Sequence, residues 1–253
     1  MSAIVNVRHT MIRSYGRQNM FRRRFTIGAA DQQRQGDGSE TRPPVYELRT
    51  YTVYPDKMRE FLDLTAKEFH LRTAHSKLFG YWTSEIGGLN QVVHIWEYGS
   101  LSERAGVRAR LAADSEWIKR YFSHILTMIP CQDNVLLTMI PGRKISLPSN
   151  NGVYELQTMQ LHGTPAVWSK ALLAYVQACE AVRQAEGSMV VGAWSSVLGS
   201  RGMAAVLWQH PTPDGCLSLA EVSATLPEGE TLAPLVASGH SKLLLPSVVS
   251  PLQ

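Results

Sequence analysis

The chain has 253 residues, of which 44% are hydrophobic and 18% charged, and this composition excludes wholesale disorder because it can supply a substantial core. Its net charge of +4 would suit a nucleic-acid or acidic-membrane partner. However, eight arginines and only three acidic residues lie in residues 1–42, so residues 43–253 are close to neutral and nucleic-acid binding is not indicated.

Residues 1–42 have the composition of a targeting segment. Met1–Ala30 contains six arginines and no Asp, Glu or Lys. This pattern is typical of a mitochondrial transit peptide, so we expect a transit peptide and disordered leader over residues 1–42 and a matrix location. A disordered basic tail is the alternative. The arginines interrupt any secretory core, and no stretch has the length of a transmembrane segment.

The remainder of the chain repeats itself. Val45 opens VYELRTYTV and Val153 opens VYELQTMQL, while GYWTSEIGGLNQVVHIWEY from Gly80 aligns without a gap with GAWSSVLGSRGMAAVLWQH from Gly192. Two homologous units are therefore predicted, over residues 43–145 and 152–253, with a Pro- and Gly-containing linker between them.

Each unit shows the same order of predicted elements. A Val- and Tyr-rich strand comes first, then a helix that starts at a proline, a tight hairpin, a second helical region and a short final strand. The order β-α-β-β-α-β is that of an α+β ferredoxin-like unit, and we expect the bare sheet faces of the two units to pack together as two similar sub-barrels. The predicted elements are Val45–Val53, a helix from Pro55, Tyr81–Ile86, Val92–Tyr98, Asp114–Met128 and Val135–Ile140 in the first unit, then Val153–Leu161, a helix from Pro165 to Gly187, a hairpin, a weaker helix in Leu217–Leu245 and a strand near Lys242–Ser247.

The first unit also carries long stretches that resemble a known family. VYELRTYTVYPDKMREFLDL, HLRTAHSKLFGYW and EIGGLNQVVHIWEYGSLSERAGVRARLAADSEW resemble the NipSnap family, and within it the branch called NipSnap homolog three. The resemblance implies tandem ferredoxin-like repeats that form a dimeric α+β barrel as a covalent pseudo-dimer. It also implies a mitochondrial protein with protein partners, autophagy adaptors among them, in vesicle traffic or in marking damaged mitochondria for mitophagy. It implies no catalytic residues, so we expect no enzyme activity.

The polar and aromatic residues of the first repeat are the candidate ligand site. Strand alternation places His94, Trp96 and Tyr98 on one face of their strand, away from Ile95 and Glu97. The full set of pocket candidates is His94, Trp96, Trp82, Tyr98, His70 and Asn90. Such a pocket could bind a haem or quinone-like ligand, or support an oxygenase-like reaction with His94 as general base. A half-buried histidine satisfied by its neighbours is the alternative.

Other features favour structural roles. The three cysteines are widely spaced, so neither a disulfide framework nor a zinc site is predicted. No cofactor is predicted either. Glu47 and Glu155 recur at the same strand position, which suggests a structural carboxylate that pairs with Arg49 or a loop amide. We expect Trp96 or Trp208, equivalent in the two repeats, to be a core residue. A monomer and a homo-oligomer are both compatible with the sequence.

Overall fold

The computed structural model describes residues 43–253, so the predicted transit peptide and leader lie outside the described residues. Eight strands form one closed antiparallel barrel in the order β1-β3-β2-β8-β5-β7-β6-β4. The strands are β1 (Val45–Thr52), β2 (Lys77–Ile86), β3 (Gln91–Tyr98), β4 (Cys131–Met139), β5 (Val153–Leu161), β6 (Met189–Leu198), β7 (Met203–His210) and β8 (Val236–Pro246).

Helices cover the outside of this barrel. The helices are α1 (Met58–Glu68), α2 (His70–Thr73), α3 (Leu101–Ala113), α4 (Ser115–Trp117), α5 (Ser123–Ile125), α6 (Pro165–Arg183), α7 (Asp214–Ser223) and α8 (Pro227–Leu232). A π-helical turn, Ile118–Phe122, joins α4 to α5. No helix in residues 43–253 is long and apolar enough to cross a membrane.

The predicted fold class is confirmed, since each repeat gives a four-stranded ferredoxin-like sheet. The order is β4-β1-β3-β2 in the first repeat and β8-β5-β7-β6 in the second, so β1 and β5 are equivalent strands. The prediction of two sub-barrels is wrong. The edge strand β2 pairs with β8, and β4 pairs with β6, so the two sheets close into a single barrel and neither keeps a free edge.

Strand alternation divides the core into an inner and two outer layers. All eight strands contribute to the barrel interior, in which Trp82 and Trp194 are fully buried. The outer face of each sheet packs against its own helices and forms a separate core around Trp96 or Trp208. Both of these tryptophans are buried, as predicted.

The repeated Gly-x-Trp sequence has a steric cause. The indole of Trp82 lies across Gly80, and that of Trp194 lies across Gly192. A Cβ atom on either glycine would fall within 2.4 Å of the ring, so only glycine allows the tryptophan to fill the barrel interior there. A β-bulge lies beside each glycine.

Several predicted elements differ from the structure. Strand β2 begins at Lys77, four residues before the predicted Tyr81. Helix α3 precedes the predicted helical region Asp114–Met128 and was not predicted, because its apolar face is narrow, with only Val107 and Leu111 buried. Strand β8 begins at Val236, inside the predicted helix Leu217–Leu245. Strand β4 begins at Cys131. The first residues of β4 and β8 are exposed and lack an apolar pattern, and backbone pairing with β1 and β5 holds them in the sheet.

Candidate ligand-binding site

A cavity of about 420 Å³ lies between the outer face of the first sheet and its helices. This volume falls in the range of about 300–1,000 Å³ that small-molecule sites occupy. Strands β1, β2, β3 and β4 form the floor, and α2, α3 and the π-helical turn form the walls and mouth. The residues on which the site depends are Arg49, Tyr51, Arg72, Tyr81, His94, Trp96, Arg108, Trp117, Phe122 and Gln132.

His94 occupies the middle of the floor. On β3 it alternates with Val93 and Ile95, which enter the barrel interior, so its ring faces the helices. The strand register places Arg49 of β1 on one side of it and Tyr81 of β2 on the other. The Tyr81 ring stacks on the imidazole at 5.1 Å. The side chain is 3% exposed, so water does not solvate its ring.

The hydrogen bond of His94 fixes its tautomer. Trp96 Nε1 lies 2.7 Å from His94 Nδ1, and an indole N–H can only donate. Nδ1 therefore accepts, and the proton of the neutral ring is on Nε2. Burial and then the charges of Arg49 and Arg72 hold the pKa of His94 well below its ordinary value. His94 is thus a neutral donor, and its Nε2 has no hydrogen-bond partner among the described residues.

A buried carboxylate orients one of the arginines of the floor. Glu47 is 1% exposed and accepts from Arg49 at 3.0 Å, as the sequence predicted. Arg104 binds the same carboxylate through two nitrogens, at 2.6 and 2.9 Å, and Asn134 Nδ2 donates at 2.7 Å. Burial alone would raise the pKa of Glu47, but the hydrogen bond from Arg104, the charge of Arg49 and the hydrogen bond from Asn134 hold it at about 2.

Two further arginines reach the cavity from the helices. The Arg72 guanidinium is buried over the Trp96 ring, 3.7 Å from its centre, and donates to Tyr98 Oη at 3.1 Å. Within residues 43–253 no carboxylate lies at ion-pair distance from it, and burial lowers its pKa. Arg108 is exposed at the mouth. The cavity therefore holds more positive charge than its own residues neutralise.

Aromatic rings form the remaining walls. Trp117 and Phe122 stack at 5.8 Å with an angle of 25° between their planes, and the π-helical turn that contains Phe122 presents both Ile118 and Phe122 to the cavity. The Tyr51 ring packs against His94 in a T-shaped arrangement, with 4.7 Å between ring centres. π-helical turns are frequent at functional sites because they displace side chains from the regular helical positions.

The structure brings only part of the predicted site together. His94 and Trp96 line the cavity, and Tyr98 lies directly behind it as a partner of Arg72 and Glu47. Trp82 lies on the opposite face of the sheet, in the barrel interior. His70 is exposed and bonds the Lys67 carbonyl. Asn90 has a positive φ of 55° in the β2–β3 turn and does not line the cavity.

Arg49, Arg72 and Arg108 were not among the pocket residues predicted from the sequence. The register of an antiparallel pair could have indicated Arg49, because it lies directly opposite His94. No comparable signal exists for Arg72 and Arg108, which depend on how the helices pack over the sheet.

The fold and the cavity define the class of this molecule: a dimeric α+β barrel built in a single chain, with a small-molecule cavity outside one sheet. The NIPSNAP family model matches residues 46–141. Protein NipSnap homolog 3A of Homo sapiens is 36% identical over 215 residues, which cover 82% of this chain and 85% of that protein. The chain belongs to the NipSnap family.

One further relative supports the family, and one solved structure supports the fold. Protein NipSnap homolog 3B of Mus musculus is 40% identical over 171 residues, covering 67% of this chain and 68% of that protein. A crystal structure of a candidate monooxygenase from Fusobacterium nucleatum superposes with a TM-score of 0.60, over 83% of this chain and 98% of that one. Its sequence identity is 8%, so this likeness concerns the fold alone.

The first prediction concerns the Glu47 carboxylate. Its pKa of about 2 lies below the ordinary 4.5, so its contribution to stability is present above about pH 4.5 and is lost as the pH falls towards 2. That shift corresponds to about 3 kcal/mol. Chemical unfolding of wild type and Glu47→Gln at pH 7, 4.5 and 2 should show a gap in unfolding free energy that narrows by about this amount across the acidic range. A difference in unfolding free energy that stays the same at all three pH values would contradict the lowered pKa of Glu47.

Proposed function

We propose that this NipSnap-family chain binds a small, planar molecule rich in hydrogen-bond acceptors in the cavity of its first repeat. One observation carries the proposal: donors without partners line an aromatic cavity. His94 Nε2 and Arg49 Nε are buried without a hydrogen-bond partner in the described part of the chain, and the Arg72 charge has no carboxylate beside it. Buried polar groups are normally satisfied, so such a set favours a ligand that supplies acceptors.

The type of ligand follows from the lining. Three arginines and His94 can only donate here, and the side-chain oxygen of Gln132 already faces Arg49 at 3.5 Å. Carboxylate, enolate or quinone oxygens of a ligand would accept hydrogen bonds from these donors. The rings of Tyr51, Trp96, Trp117 and Phe122 would cover an apolar, planar body between them. A quinone-like molecule therefore suits the cavity.

The tautomer of His94 favours binding over catalysis. A general base or a haem ligand would use the lone pair of Nε2, and this requires the proton on Nδ1. Trp96 Nε1–H already donates to Nδ1, so that tautomer would place two hydrogens against each other. We therefore infer a ligand-binding protein without general-base catalysis by His94.

The test compares two matched ligands and two matched variants. A hydroxynaphthoquinone, which is an anionic acceptor, should bind and raise the melting temperature, whereas a naphthylamine of the same ring size should not. Arg108→Met should weaken binding of the quinone about 10-fold, because an exposed charge at the mouth attracts the anion. Arg110→Met, two residues along α3 and outside the cavity lining, is the control and should bind like wild type.

His94→Gln gives an independent check. The Gln oxygen can accept from Trp96 and replace Nδ1, so the variant should melt close to wild type while it binds the quinone at least about 10-fold more weakly. Equal binding of the quinone and the amine, or unchanged binding in both Arg108→Met and His94→Gln, would overturn the proposal.

A mitochondrial interaction protein is the second candidate, and the acid-free arginine array in Met1–Ala30 favours it. In this account the chain reaches the matrix and contacts protein partners, autophagy adaptors among them, in vesicle traffic or in the marking of damaged mitochondria. Ligand binding and such contacts are compatible.

The targeting part of this candidate has a direct test. Fusion of Met1–Ala30 to a cytosolic fluorescent reporter should send the reporter to mitochondria, since arginines respond to the membrane potential. The same segment with its six arginines changed to glutamine should leave the reporter in the cytosol. A wild-type fusion that stays cytosolic would contradict the targeting role.

A further inference from the structure

The second repeat contains a buried cluster at the positions that hold the Glu47 ion pairs in the first. Glu155 is equivalent to Glu47, and His210 ends β7 as Tyr98 ends β3. Cys216 follows His210 by the same interval as Arg104 follows Tyr98. The ligand atoms of Glu155, His210 and Cys216 all lie within 4.8 Å of one another.

The two clusters differ in how the carboxylate charge is compensated. Arg49 and Arg104 bind Glu47, whereas Gln157 and Cys216 stand at the corresponding places around Glu155. Glu155 is 6% exposed, and Gln157 donates to its Oε1 at 3.0 Å. A buried carboxylate without a cation is costly, so the Glu155 charge calls for a positive partner, which either a protonated His210 or a bound metal ion can supply.

Two buried polar atoms of the cluster face each other without a hydrogen bond. His210 Nε2 and Glu155 Oε2 are 3.4 Å apart, and neither has a hydrogen-bond partner among the described residues. His210 is 0% exposed. A zinc ion with Zn–N and Zn–O bonds of about 2.0–2.2 Å and tetrahedral angles holds its nitrogen and oxygen ligands about 3.4 Å apart. The observed spacing fits two ligands of one ion, as it also fits an ion pair between protonated His210 and Glu155.

The surroundings of the cluster also suit a metal ion. His210 Nδ1 lies 3.0 Å from Ser188 Oγ, so a proton on Nδ1 can be donated there while the Nε2 lone pair faces Glu155. A Cβ atom on Gly215 would lie 2.7 Å from His210 Cβ, so glycine allows the start of α7 to bring Cys216 close. Cys216 is partly exposed, which gives an ion access from solvent.

We propose that Glu155, His210 and Cys216 bind one divalent transition-metal ion, with zinc the best match to a mixed oxygen, nitrogen and sulfur ligand set. Three protein ligands leave a fourth tetrahedral position for water or a small ligand. No metal site was predicted from the sequence because the three cysteines are widely spaced, and Glu155 is also distant in sequence from His210 and Cys216. This site is separate from the cavity of the first repeat and does not depend on its proposed function.

The test uses the full chain, purified without an oligohistidine tag and dialysed against a chelator. Titration with Co²⁺ should saturate at one equivalent and give a thiolate-to-cobalt charge-transfer band, which Zn²⁺ should abolish by displacement. Cys216→Ser should lose this band, and Glu155→Gln should bind at least about 100-fold more weakly. Cys131→Ser changes an exposed cysteine on β4 and is the matched control, with the wild-type band retained.

The wild-type band by itself reports a thiolate ligand, and the variants are compared only after circular dichroism has shown that they are folded. Zn²⁺ should also raise the melting temperature of wild type and Cys131→Ser but not of Cys216→Ser. The proposal is overturned if wild type binds Co²⁺ without a charge-transfer band or does not bind it. It is equally overturned if Cys216→Ser and Glu155→Gln, both folded by circular dichroism, bind the ion as wild type does.

Discussion

Closure of the barrel through the pairs β2–β8 and β4–β6 is the constraint on which the rest of this structure depends. It removes the free edges of both sheets and encloses one apolar interior to which all eight strands contribute. With the inner faces so occupied, each repeat keeps only its outer face and its own helices for chemistry. Both proposed sites lie in these outer layers, between strand and helix.

Each outer layer contains a buried carboxylate at the same place on its first strand, and the two repeats satisfy it differently. Two arginines neutralise the Glu47 charge, and the Asn134 amide donates a hydrogen bond to it. One of these arginines, Arg49, also forms part of the cavity floor. Around Glu155 a glutamine and a cysteine take the places of the two arginines, Ser241 takes that of Asn134, and His210 takes that of Tyr98. The duplicated scaffold thus holds a cavity lined by hydrogen-bond donors in one half and a cluster of metal-ligand residue types in the other.

The internal repeat and strand alternation were enough to predict the ferredoxin-like units, and they correctly separated His94 and Trp96 from Ile95. Helix α3 had a usable signal, since Ser100 and Glu103 form a capping pair, but its narrow apolar face concealed it. Arg72 and Arg108 reach the cavity only through the packing of helices on the sheet. Pairwise barrel closure likewise depends on contacts between distant edges, which local patterns do not encode.

The proposed site depends on His94 as a neutral donor. Its proton is on Nε2 because Nδ1 accepts the hydrogen bond from Trp96 Nε1. Long-range ¹⁵N–¹H NMR spectra of the histidine rings test it directly, with His94→Gln used to assign the signals. We predict a protonated Nε2, an unprotonated Nδ1 and no change in either ¹⁵N chemical shift between about pH 8 and pH 5.5, because the pKa of His94 lies well below its ordinary value. A proton on Nδ1, or titration of the ring near pH 6.5, would contradict the role of His94 as a neutral Nε2 donor.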